Sequence, residues 1–326
     1  MSVNSSVGAS APSRKAILAL GTAVGALAVV LLLIVPVQPP AAGRPKCLGS
    51  TATIVGSKHG NHIHGTHHSD VIVAKAGNDV IFGDGGRDKI CGGPGNDTIQ
   101  GGSADDKLVG GPGGDVIRGR HGRDLIVGDI ASPFGSAIGH TGSDYIDAGF
   151  GGDFVVGDNY GRAAASGGSH DRIKAMAGND RVIGDSAVTG GGEARGGGPD
   201  KIGGSDGRDL IVGDSFSPRG RAIGGGGDQL SSDPKGDLVV GDSLTHTGTA
   251  IGAGRDRIHG LSGADALYGD NHATEPQGRT VGGAADLLTG GPGNDHLLGG
   301  PKPDMCAGGP GRDWSRRCGK WVTGVP

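Results

Sequence analysis

The chain has 326 residues, of which 72 are glycine and only 3% aromatic, and its formal net charge is −4. Average proteins carry ~7% glycine, so this composition argues against a large conventional core, and glycine does not recur at every third position as a collagen helix requires. The mild charge points to neither nucleic acid nor an acidic substrate.

The predicted elements run as follows. Residues 1–15 are small and polar and end in Arg14 and Lys15. Residues 16–37 are an apolar helix, read as a signal peptide or a transmembrane anchor. The run is long enough to cross a bilayer, which takes ~20 residues, and longer than a usual signal core of ~7–15. Proline at position 40 disfavours cleavage nearby. In either case the basic residues hold the N-terminus inside and send the rest outside. Residues 38–49 form a linker and an N-terminal cap.

Residues 50–127 are strictly periodic. From Gly56 to Val127 the chain reads as eight consecutive nine-residue units, the clearest running from Gly92 to Gln100. Their sixth positions are Asn61, Asp70, Asp79, Asp88, Asp97, Asp106, Asp115 and Asp124, and their eighth positions are all Ile or Leu. Side chains alternate along a strand, so positions seven to nine form a short strand with position eight inward. The glycines turn the chain, because they reach φ > 0 without a Cβ clash. Two units make one coil of a flattened solenoid. No unit can bury its aliphatic alone, so the coils must stack, and this periodic aliphatic pattern opposes disorder.

These units resemble the RTX, or haemolysin-type, calcium-binding repeat of secreted bacterial proteins, whose pattern is G-G-x-G-x-D-x-U-x. The resemblance implies an all-β fold, a parallel β-roll or β-solenoid over about residues 50–315, with Ca2+ as the cofactor. Stacked strands lie ~4.8 Å apart and calcium takes oxygen ligands at about 2.3–2.6 Å. Ions would therefore fit between aspartates of successive coils: Asp79 with Asp97, Asp88 with Asp106, Asp97 with Asp115. Turn carbonyls would complete the shell. The candidate ligands are Asp70, Asp79, Asp88, Asp97, Asp106, Asp115, Asp124, Asp144, Asp153, Asp180, Asp209, Asp265, Asp295 and Asp313. Sites at Asp171, Asp237 and Asp304 are doubtful, since their turns lack the fourth-position glycine.

In residues 128–295 the period lengthens. The spacing of sixth-position aspartates alternates between nine and 18 to 21, so a 27–30-residue unit carries one insertion, always on the same edge. The insertions begin at Gly128-Asp129, Gly157-Asp158, Gly184-Asp185, Gly213-Asp214, Gly241-Asp242 and Gly269-Asp270, and several end in Ala-Ile-Gly. The strands before them, such as Leu210-Ile211-Val212, are apolar at all three positions. Large exposed apolar patches are uncommon on monomers. The insertions are therefore expected to fold back, with the Ala-Ile segment as a third strand or cover. The rival is an open apolar stripe that binds a partner.

Residues 296–326 return to nine-residue spacing and end in a cap containing Trp314 and Trp321. Four cysteines fit an oxidising compartment and allow three pairings. Cys47–Cys91 and Cys306–Cys318 are favoured, one staple for each end of the solenoid. A histidine cluster (His59, His62, His64, His67, His68) meets no fixed zinc spacing and suits polar outward positions of a degenerate first coil. Gly241-Asp242-Ser243-Leu244, with Asp256-x-x-His259, matches the GDSL hydrolases by letters alone. Sister repeats carry the same place as Gly213-Asp214-Ser215-Phe216, so a hydrolase using Ser243 ranks last and no enzyme is expected. The expected function is calcium binding that folds a surface structural or adhesive protein outside the cell. The alternative is an interaction module that binds a cell-surface or protein ligand through the inserted edge or apolar sheet. The membrane enters only through residues 16–37.

Overall fold

The computed structural model describes residues 43–321, which contain strands and turns but no helix. The apolar helix expected over residues 16–37 lies outside the described residues. Two twelve-stranded sheets face each other, and every strand in them runs parallel to its neighbours. The front sheet runs from His62–His64 through Val80–Gly85 and Thr98–Ser103 to Lys320–Trp321. The back sheet runs from Ile54–Val55 through Val71–Val73 and Lys89–Cys91 to Trp314–Arg316. The chain alternates between them, so two nonapeptide units close one coil.

The register follows from position eight. Ile81 pairs with Ile99 and Ile99 with Ile117 in the front sheet, while Ile72 pairs with Ile90 and Ile90 with Leu108 in the back sheet. These side chains are fully buried and form one continuous core between the sheets. Burying one such side chain is worth about 1.5–3 kcal/mol, but only when the next coil covers it. The register survives the insertions, since Ile117 pairs with Ile146, Ile146 with Ile173, and Ile258 with Leu288.

Each insertion contributes two short strands, and these stack into two further six-stranded parallel sheets. The first side sheet includes Ala187–Val188, Phe216–Ser217 and Leu244–Thr245. The second includes Ser136–Ile138, Arg221–Ile223 and Thr249–Ile251. Val156, Ile183, Val212 and Val240, at position nine of the back sheet, are fully buried against Ala187, Phe216 and Leu244. The apolar face is therefore covered, and no open stripe remains at these positions. The cover differs from the expected Ala-Ile segment. That segment builds the second side sheet, where it buries Ala137, Ala222 and Ala250 and turns Ile138 outward at 66% exposure. Alternation along a strand puts adjacent Ala and Ile on opposite faces.

Both favoured disulfides are present, Cys47–Cys91 and Cys306–Cys318. The first ties an N-terminal hairpin, Lys46–Cys47 paired antiparallel with Ser50–Thr51, to the back sheet. The terminal segment expected to form a cap extends both sheets. Trp314–Arg316 pairs with His296–Leu298, and Lys320–Trp321 pairs with Met305–Ala307.

Candidate metal centre

Position six closes each turn immediately before its strand, so stacking the coils stacks these residues into two rows. Along the uninterrupted edge the row is Asp70, Asp88, Asp106, Asp124, Asp153, Asp180, Asp209, Asp237, Asp265, Asp295, Asp313. Along the inserted edge it is Asn61, Asp79, Asp97, Asp115, Asp144, Asp171, Asp200, Asp228, Asp256, Asp286, Asp304. In both rows the backbone N–H of one residue donates to Oδ1 of the aspartate one coil on. The donor–acceptor distance is 2.8 Å for Asp79 to Asp97, 2.7 Å for Asp97 to Asp115 and 2.8 Å for Asp124 to Asp153.

Oδ1 is thus occupied, while Oδ2 is buried and unpartnered at Asp79, Asp88, Asp97, Asp106, Asp115, Asp124, Asp144, Asp153, Asp180, Asp209, Asp265 and Asp295. Leaving a buried acceptor unpaired costs about 1–3 kcal/mol, and more for a charge. A fold that repeats this at most of its turns is suited to a cation. Asp70 differs, because its Oδ2 accepts the Thr66 N–H at 2.8 Å and the Thr66 hydroxyl at 2.9 Å. Asp313, in the last coil, is only half-buried.

The first-position glycine completes the cradle. A Cβ placed on Gly92 would lie 2.3 Å from Asp97 Oδ2 and 2.6 Å from the carbonyl oxygen of Gly110. On Gly110 it would lie 2.1 Å from Asp115 Oδ2 and 2.3 Å from the Gly128 carbonyl. Carboxylate and carbonyl oxygens thus converge beside a residue with no side chain, a donor set suited to a hard cation such as calcium. Among the described residues no three His, Cys, Asp or Glu side chains close on one point. Backbone carbonyls must therefore supply much of any shell.

Burial dominates the electrostatics. It pushes the carboxyls of Asp97 and Asp124 up to about 6 and those of Asp106 and Asp115 up to about 8. The backbone hydrogen bond from the neighbouring coil opposes the rise, and the carboxylates above and below add to it. At Asp144, with Asp171 beside it, the value reaches about 11.

Asp171, Asp200, Asp228, Asp256, Asp286 and Asp304 were not among the expected ligands, yet they hold equivalent places with a free, buried Oδ2. Their sixth-position register was the signal, and turn composition obscured it. Asp237 does differ, since its Oδ2 accepts the Asp233 N–H at 3.3 Å. Ala74, Ala148 and Ala175 stand at position one, so the turns of Asp79, Asp153 and Asp180 carry a methyl where most turns have glycine, and Ser232 stands there in the turn of Asp237.

The other candidates do not assemble. His62 and His64 are exposed and pack on the Phe82 ring, with centroids 5.6 and 4.8 Å away. Ser243 is fully buried with its Oγ unpartnered, whereas His259 is exposed on the front sheet, and no hydrogen bond joins them. On the front sheet, Arg172, Lys174, Lys201, Gln229 and His259 line a shallow groove of about 450 Å³ over Gly203.

The family model for the RTX calcium-binding nonapeptide repeat (4 copies) matches residues 64–99, 100–131, 166–187, 252–272 and 280–314. Residues 188–251 lie between matches but keep the same pairing, with Ile202 beside Leu230 and Ile211 beside Val239. No curated protein matches the chain.

Proposed function

This chain carries RTX calcium-binding nonapeptide repeats, and from that premise we propose that calcium drives its folding outside the cell into a surface structural or adhesive rod. The observation that carries this reading is the pair of aspartate rows, in which most turns present a buried Oδ2 with no partner. The ladder ligands are the fourteen aspartates named from the sequence, joined by Asp171, Asp200, Asp228, Asp256, Asp286 and Asp304. Asp70, Asp237 and Asp313 are the weakest of the rows, for the reasons of contact and exposure given above, and Asp79, Asp153 and Asp180 are weakened by the first-position methyl in their cradle.

When bound, calcium supplies positive charge to rows of carboxylates that would otherwise repel one another. The residues do the rest. Oδ1 holds the coil before it, Oδ2 and the first-position carbonyls face the cation, and the aliphatics close the core only when adjacent coils are in register. Binding confined to the folded state stabilises it by mass action, about 2.7 kcal/mol per site at a hundredfold excess over Kd. Calcium is scarce in cytosol and abundant outside, so the same rows would keep the chain open until export. The two disulfides favour an oxidising compartment. In this reading residues 16–37 lead the chain across the membrane or hold it there.

A second reading, an interaction module, is favoured at the front groove, where Arg172, Lys174 and Lys201 would meet an anionic or polar partner. The covered back sheet is a poorer candidate for that role.

The test is far-ultraviolet circular dichroism of the full-length chain in mild detergent, chelated and then titrated with calcium, with magnesium as control. A cooperative change from coil to β with calcium alone is expected. Full β structure persisting in chelator would overturn folding by calcium and leave a static scaffold.

A further inference from the structure

The insertions contain a third acidic row that the nonapeptide repeat does not account for. Asp129, Asp158, Asp185, Asp214, Asp242 and Asp270 each open an insertion, and all six are buried. One carboxylate oxygen of each accepts a backbone N–H at the far end of the same insertion. Gly226 donates to Asp214 at 2.9 Å, Gly254 to Asp242 at 2.7 Å and Ala284 to Asp270 at 2.8 Å. That bond closes the insertion as a loop. The other oxygen accepts no N–H or O–H at Asp185, Asp214, Asp242 and Asp270, while the Asp185 carboxyl meets those of Asp158 and Asp214 along the row.

The glycine just before each of these aspartates lies against the repeat row: a Cβ on Gly184 would lie 2.3 Å from Asp200 Oδ2, one on Gly213 2.1 Å from Asp228 Oδ2 and one on Gly241 2.3 Å from Asp256 Oδ2. Asp200 is the charge that Asp185 feels most, and Asp214 is the charge that Asp228 feels. Asp256 in turn feels Asp242. Oδ2 of Asp200, Asp228 and Asp256 is likewise buried and unpartnered. Beside each lies a carbonyl from the next coil, that of Gly213, Gly241 or Gly269, which receives no backbone hydrogen bond among the described residues. No ion pair among the described residues reaches these aspartates. Two carboxylates buried side by side without a cation would either carry the desolvation penalty of an ion or be held protonated.

We propose that the inserted edge holds a second class of divalent-cation site, formed by Asp185 with Asp200, Asp214 with Asp228, and Asp242 with Asp256. Each site draws one carboxylate from the insertion, one from the repeat and a first-position glycine carbonyl. An all-oxygen set with two carboxylates suits calcium. These sites differ from those of the uninterrupted edge, where one carboxylate faces carbonyls alone. They also give the aspartates that open these three insertions a task beyond closing the loop, since the cation would pin each insertion to the coil it leaves. The assignment rests on calcium binding by the repeats and goes beyond it.

The experiment counts calcium per full-length chain by equilibrium dialysis, for the parent, for Asp185→Asn/Asp214→Asn/Asp242→Asn, and for Asp124→Asn as a comparator on the uninterrupted edge. Asparagine keeps the oxygen that accepts the glycine N–H and removes the charge. The triple variant is expected to bind three fewer ions than the parent, with a lower melting temperature in calcium. An unchanged count in a chain that still folds would mean that these acids are neutral and share protons, which overturns the proposal. Should the triple variant not fold, each single variant is measured and expected to lose one ion; a folded single variant binding as many as the parent also overturns it. Loss at Asp124→Asn but not at Asp214→Asn sinks this assignment alone. A parent that binds no calcium sinks the repeat reading as well.

Discussion

Each turn aspartate has two oxygens with different tasks. Oδ1 takes the N–H of the coil before it, and Oδ2 is buried without a hydrogen-bond partner. Without a cation, burial favours the protonated acid, up to about 6 at Asp97, about 8 at Asp106 and Asp115, and about 11 at Asp256. The unfolded value is about 3.9. Folded values raised above it give stability that is fully present below about 4 and lost as pH rises through them. The calcium-free chain should therefore show more β structure at pH 5 than at pH 8. Calcium, competing with protons for the same oxygens, should bind more weakly at pH 5.5 than at pH 7.5. Circular dichroism after calcium removal and titration at both pH values check this, and a pH-independent signal would remove the physical basis for the ladder.

At the scale of elements, the insertions act as a lining for the back sheet. Position nine of that sheet is apolar because Phe216 and Leu244 of the first side sheet lie on it. The second side sheet buries its alanines, leaves Ile138 outside and holds Ile223 and Ile251 half-buried. In saturating calcium, Leu244→Ala should cost about 2–5 kcal/mol. Ile138→Asp, at an exposed place in the second side sheet, should stay within about 0.5 kcal/mol of the parent. Chemical denaturation followed by circular dichroism measures both. Comparable losses at the two sites would mean that the cover has been assigned to the wrong strand.

As a whole, the molecule is a stack in which each coil is stabilised mainly by its neighbours. Its ends are stapled, Cys47 to Cys91 across 44 residues and Cys306 to Cys318 across 12. Such a bond is worth about 2–4 kcal/mol, but in a stack the effect stays local. Reduction should release the terminal coils and spare the centre. Hydrogen exchange in calcium is expected to show lost protection in residues 50–91 and 296–318, with residues 200–260 unchanged. Uniform loss along the chain would show that it unfolds as one unit instead.

The nine-residue period alone determined the parallel coil, the inward aliphatic at position eight and the two aspartate rows, because stacking identical units leaves the register no other choice. Ile81 must lie on Ile99, and Asp97 on Asp115, once two units make a coil. The favoured disulfides were legible for a related reason, since a solenoid has only two ends to staple. The insertions obey no such rule. Each closes over its own length, so Gly213-Asp214 announced a repeated start without saying where its side chains would go. Only the tertiary structure brought Gly213, beside Asp214, against Asp228 and put Phe216, rather than Ile223, against the back sheet. Those contacts depend on the path of a closed loop and on which strand face meets the core, and no linear period encodes either.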